Sequence, residues 1–149
     1  MISPRDLEAY LHEQIPLSAA MEVSVRSASA EAVVLSAPLG PNINHKRTAF
    51  GGSIATLGIL AAWSLLHLRL LEAGLRCEVV IQSSHMDYDK PITGAFEARS
   101  ALAEPEGWPA FLKMLTRRKA ARIAVASQLL FEDGVVGRFS GKFVAFLVA

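Results

Sequence analysis

The sequence predicts an α+β domain: a mainly antiparallel sheet of about six strands around one long central helix. Three observations carry that class. The run from Ser53 to Leu66 is uncharged and apolar nearly all round, so a helix formed there has to be enclosed by other elements. Around it lie short segments with alternating or β-branched apolar residues, bounded by glycine, proline and small polar turns. Helical and extended segments do not alternate regularly, which argues against parallel βαβ winding. No internal repeat or low-complexity linker interrupts the pattern, so residues 1–149 are expected to form one domain.

The elements follow in order. Ser3 to Glu13 predicts a short amphipathic helix with Ser3 as N-cap, Pro4 at the first helical position and Leu7, Tyr10 and Leu11 on the inner face. Pro16 is expected to end it. Met21–Ser27 and Ala32–Pro38 read as strands around a small polar turn, and Gly40-Pro41 opens a loop through Thr48. Ser53 to Ala73 predicts the long helix, closed by Gly74. Arg76–Asp89 and Phe96–Leu102 read as strands, and Glu104–Leu115 as a second short helix. Ile123–Glu132 and Val135–Val148 predict a final hairpin turning at Asp133-Gly134, with Gly137 and Gly141 marking bulges or close packing.

The totals narrow the function. With 15 basic and 14 acidic residues, the chain has no global field that would favour nucleic acid or an anionic membrane. The uncharged run meets His67 and Arg69 before reaching the ~20 apolar residues a membrane span requires. A single cysteine, Cys77, excludes an internal disulfide and a cysteine metal cluster, and reads as a small buried residue. The charged N-terminal segment argues against an export signal, so a cytoplasmic setting is expected. His85 and Asp87 offer two metal ligands without a third at a recognisable spacing, so no metal is expected.

This order of elements, with Gly51-Gly52 opening the buried helix, resembles the hotdog fold, in which a curved antiparallel sheet wraps a central helix. The resemblance covers nearly the whole chain. It is carried by Asn44 followed six residues later by Phe50-Gly51-Gly52-Ser53, by Met86-Asp87-Tyr88-Asp89-Lys90-Pro91-Ile92, and by a last hairpin ending in Gly141-Lys142-Phe143. The segments are similar to those of hotdog acyl-CoA thioesterases of the phenylacetyl-CoA type, which run Asn…His-Gly-Gly and Tyr-x-Arg-Pro. More narrowly, the chain resembles the thioesterase family found as the C-terminal domain of YiiD-type proteins. The resemblance implies hydrolysis of an acyl-CoA or acyl-carrier-protein thioester by water. It implies no cofactor beyond the coenzyme A of the substrate. It also implies a homodimer or dimer of dimers, with sites between protomers.

The residues support part of that chemistry. A helix N-terminus supplies unpaired N–H groups and a positive dipole end, and glycine lets a thioester approach the backbone. Gly51, Gly52 and Ser53 are therefore candidate donors to the oxyanion, although a Gly-Gly pair also serves close helix–sheet packing. Asn44 matches the family position that orients the thioester and equally suits a turn. Phe50 and Ile59 stand where the family pattern carries a histidine and an acid, so the usual carboxylate base is missing from the helix. His85, Asp87 and Asp89 share a strand face and are the candidate base group, or a solvated strand end.

Phe50, Ser53, Tyr88, Asp89 and Lys90 are the expected substrate contacts, from their places in the motifs. Arg117, Arg118, Lys119 and Arg122 read as an exposed turn or as partners for coenzyme A phosphates. His45 is a weaker site candidate, and His12 and His67 read as structural. The expected function is thioester hydrolysis, with a non-catalytic acyl-thioester binding module as the alternative that Phe50 and Ile59 favour.

Overall fold

Local signals at the N-terminus act as their chemistry dictates. In the computed structural model, which describes residues 2–148, helix α1 (Pro4–Gln14) opens with the Ser3 side chain accepting the Asp6 N–H at 3.1 Å. Leu7 and Leu11 are fully buried on its inner face. Pro16 does not simply end this helix: it occupies the first position of a further turn, α2 (Pro16–Ala20), where its missing N–H costs nothing.

Strands β1 (Ser24–Ala28) and β2 (Val33–Ala37) form a hairpin, and a loop then leads into α3 (Gly51–Glu72). Helix α3 begins earlier than the sequence predicts, so both glycines lie in its first turn. Strand β3 (Cys77–Tyr88) and β4 (Phe96–Leu102) follow, then α4 (Trp108–Arg118), β5 (Ala120–Phe131) and β6 (Gly134–Leu147). Helix α4 runs past Leu115, and Lys119 alone, with φ +65, reverses the chain into β5. The last hairpin turns on Glu132 and Asp133, both at positive φ, while Gly134 already pairs with Phe131.

All strands pair antiparallel in the order β1-β2-β4-β5-β6-β3, so β3 is an edge. Helix α3 lies against β2, β3, β4, β5 and β6. Its own Ile54, Leu57, Leu60, Ala61, Leu65 and Leu66 are buried, which explains a helix apolar nearly all round. A curved antiparallel sheet around a central helix is the hotdog arrangement that the resemblance implied.

Close approach of helix and sheet depends on small residues. A Cβ at Gly58 would stand 3.0 Å from the Phe139 Cβ, and the Ser127 hydroxyl donates to the Gly58 carbonyl at 2.8 Å. A Cβ at Gly137 would lie 3.0 Å from the Asp87 carbonyl oxygen and 2.7 Å from the Met86 side chain.

Candidate functional site

The N-terminus of α3 is left bare. Phe50 is its N-cap, in extended conformation (φ −65, ψ 134), and contributes no side-chain cap. The first bond of the helix runs from the Ile54 N–H to the Phe50 carbonyl at 3.0 Å. The N–H groups of Gly51, Gly52 and Ser53 therefore have no partner among the described residues, whereas α1 has the Ser3 cap. An unmade cap forgoes about 1 kcal/mol of helix stability.

Two exposed aromatic rings flank these donors. The Tyr88 hydroxyl donates to the Gly51 carbonyl at 2.9 Å, and a Cβ at Gly51 would lie 3.5 Å from the Tyr88 ring. A Cβ at Gly52 would collide with the Phe50 ring. Phe50 is 56% exposed and Tyr88 53%. Both glycines thus admit a ring close to the first turn, in addition to leaving the donors accessible.

Asn44 builds the preceding loop. Its Oδ1 accepts from the N–H of Lys46 at 2.9 Å and of Thr48 at 3.0 Å, and its Nδ2 donates to the Thr48 hydroxyl at 2.8 Å. The turn function is therefore fully in place, and the second Nδ2 hydrogen has no partner among the described residues. His45 lies exposed in this loop. Asn42, which sequence reasoning passed over, holds the loop to the fold. Its buried side-chain amide donates to the carbonyls of Met21 (3.0 Å) and Pro38 (2.8 Å), and the Asn42 backbone carbonyl accepts the Phe50 N–H at 2.7 Å. Nothing in Gly40-Pro41-Asn42 distinguishes this amide from an ordinary turn asparagine.

His85 and Asp87 do come together, with Nε2 and Oδ1 3.1 Å apart. Arg138 joins them: Nη2 lies 3.6 Å from Asp87 Oδ2, and Nε donates to Asp89 Oδ2 at 3.2 Å. Hydrogen bonding to Asp89, then the charges of Asp89 and Asp87, push the Arg138 guanidinium above its ordinary pKa. The cluster faces away from α3 of its own protomer. Register explains why. Phe139 and Phe143 point inward, and they pair with Met86 and Ile81, whereas His85 pairs with Ser140 and Asp87 with Arg138. A bulge between Ile81 and Ser83 switches the inward set from Cys77, Val79 and Ile81 to Ser84, Met86 and Tyr88. Tyr88 thereby reaches α3, and the histidine–aspartate pair turns outward.

Lys90 and Asp89 follow β3 with exposed side chains, their N–H groups both donating to the Val136 carbonyl. Ser53 is half-buried in the first turn of α3, and Ile59 half-buried further along. At the other end of α3, His67 stacks on Tyr10 (4.7 Å between centroids) and Trp63 (4.9 Å), and burial lowers its pKa. His12 binds the Val23 carbonyl at 2.7 Å. Cys77 is half-buried, and burial pushes its thiol up. No group of three potential metal ligands occurs among the described residues. A cavity of about 810 Å³ lies away from the α3 terminus, between α4 and β5.

A profile of the family described as "Putative thioesterase (yiiD_Cterm)" matches residues 4–147. Among solved structures, the chain is similar to a protein of unknown function from Chlorobaculum tepidum, at 26% identity over 97% of this chain and 96% of that one, with TM-score 0.89. It is also similar to a "putative thioesterase" from Shewanella oneidensis, at 28% identity over 96% of each chain, with TM-score 0.86. A Pseudomonas aeruginosa protein described as "Probable Thioesterase" shares the fold at 18% identity over 99% of each chain, with TM-score 0.75.

Proposed function

The chain belongs to the family described as "Putative thioesterase (yiiD_Cterm)", and from that premise we propose that it hydrolyses an acyl-CoA or acyl-carrier-protein thioester with an activated water. The observation that carries this reading is the uncapped α3 terminus. Three adjacent N–H groups, at Gly51, Gly52 and Ser53, are aligned with the positive end of a 22-residue helix and reachable past Gly52. A thioester carbonyl that becomes an oxyanion gains most from donors already fixed in place, and one such donor is worth about 10²–10³ in rate. The free Nδ2 hydrogen of Asn44 orients the substrate, and the rings of Phe50 and Tyr88 flank its acyl portion. Ser53, Asp89 and Lys90 complete the contacts. Water, rather than Ser53, is the nucleophile, because no general base pairs with that hydroxyl among the described residues.

Two copies complete the site in this reading. Strand β3 is a long unpaired edge with Val80 half-exposed and Ile81 38% exposed. Such an edge is a ready template for a second chain. Antiparallel pairing of two β3 edges gives a homodimer, and stacking of two such sheets gives a dimer of dimers. Elution at monomer mass at all concentrations in light-scattering chromatography would remove this part.

Base supply separates hydrolysis from its alternative. His85 with Asp87 is the base pair proposed for hydrolysis. Its outward position on β3 favours the second reading, a module that binds acyl thioesters without turning them over. The experiment is an acyl-CoA and acyl-carrier-protein panel with wild type, His85→Ala, Asp87→Asn and Asn44→Ala. Hydrolysis is expected, with losses in all three variants. Turnover that survives all three removes these assignments, and binding without turnover establishes the module.

A further inference from the structure

The region from Gly107 to Phe131 contains no acidic residue, yet Lys113, Arg117, Arg118, Lys119 and Arg122 fall within ten positions of it. None of the five forms an ion pair among the described residues, and all five are exposed. They gather at the C-terminal end of α4 because Lys119 alone makes the reversal into β5. A cluster of unpaired like charges raises the energy of the free protein and is relieved by an opposite charge.

Beside the cations runs the cavity of about 810 Å³. Its α4 wall presents Ala110 and Met114 at helical spacing after the N-cap Gly107, and Arg117 and Arg118 continue that stripe. Its floor is β5 from Ala120 to Ala124, with Phe146 from β6. Met114 and Phe146 remain 48% and 44% exposed, both large apolar side chains. Arg122 lies on the floor, and Glu104 closes the end nearest the start of α4. An apolar trough with a basic end fits an amphipathic helix that carries an apolar stripe and acidic flanks. The flexible thioether of Met114 suits such a contact.

We propose that this trough is the docking surface for an acidic helix of a thioester-bearing carrier protein. The inference rests on the thioester reading for what the partner carries, and on β3 pairing for how the cargo reaches its site. Within one protomer, the 22 residues of α3 separate the two ends by about 33 Å. Antiparallel pairing of β3 edges instead lays the Tyr88 end of one copy beside the Cys77 end of the other. From β5 across β6 and β3 to the second copy is about three strand spacings, or roughly 14 Å. Coenzyme A alone would use the cations but leave the apolar trough uncovered. An anionic bilayer is entered by protruding apolar side chains, whereas these line a concavity.

The test uses the full chain and purified acyl carrier protein in its apo form, so that no prosthetic arm contributes to binding. Titration calorimetry at about 50 mM and about 300 mM salt is expected to show binding that weakens at least tenfold as screening rises. Arg117→Glu/Arg118→Glu and, separately, Met114→Glu are each expected to weaken it about tenfold or more, with unchanged circular dichroism. Absence of binding, or binding insensitive to both variants, overturns the proposal. So does binding to phosphatidylglycerol vesicles, rather than the carrier, that both variants abolish. Loss of acyl-CoA affinity in Arg117→Glu/Arg118→Glu but not Met114→Glu, without carrier binding, would overturn it in favour of coenzyme A phosphates. Acyl-CoA turnover without carrier binding sinks the docking surface and leaves the thioester reading; carrier binding without any turnover does the reverse.

Discussion

The two ends of α3 are built on opposite terms. Its C-terminal half is tied down from several directions. Trp63 Nε1 donates to the Val79 carbonyl at 3.0 Å, and His67 stacks against Tyr10 of α1. Arg69 donates to the Ala30 carbonyl and lies 4.3 Å from the Trp108 ring centroid, linking the β1–β2 turn to α4. Its N-terminal turn has an uncapped set of donors, one tyrosine contact and an exposed phenylalanine. Contacts are concentrated at the C-terminal end, and unsatisfied hydrogen-bonding capacity is left at the N-terminal end.

That contrast is open to attack at both ends. The largest effect is expected from the anchored half: Leu65 is fully buried, so Leu65→Ala should cost about 2–5 kcal/mol in urea unfolding. At the bare end, Gly51→Pro deletes one donor at the first helical position. Phe50 is already extended, as a residue before proline must be, so the melting temperature should hardly change. Hydrolysis should fall about 10²–10³-fold. A stability loss as large as that of Leu65→Ala would erase the distinction between the ends.

Arg69→Ala removes a packed side chain and its carbonyl bond, and about 1–3 kcal/mol is expected by the same unfolding assay. Its Nε is buried without a partner among the described residues, which offsets part of the loss.

The smallest effect is a pH dependence. Burial holds His67 below its ordinary value of 6.5, so the folded state favours the neutral ring. As pH falls through 6.5 the unfolded chain takes up a proton that the folded chain resists. The contribution is present above that pH and is lost below it. His67→Gln should flatten the fall in stability between about pH 7.5 and about pH 5; an unchanged slope would show that the ring titrates freely.

Much of the fold was legible because its signals are local. Ser3-Pro4 as a helix start, Gly74 as its counterpart after α3, and the apolar sides of the enclosed helix all read directly from residue chemistry. The boundaries missed were those where tertiary contacts override a local signal. Gly51-Gly52 are weak helix formers, yet they are helical because α3 is held along the sheet. Glu132 and Asp133 accept positive φ, where glycine would be expected, because β5 and β6 pair on both sides of the turn.

The sequence by itself determined that a buried helix follows directly on Phe50-Gly51-Gly52, and that His85 and Asp87 share one strand face. Which face that is was decided by the tertiary structure. Strand periodicity groups alternate residues but carries no sign, and the one-residue bulge at Gln82 reverses it. Without that bulge the inward set of Cys77, Val79 and Ile81 would continue through His85 and Asp87 to the α3 terminus. With it, Tyr88 stands there instead.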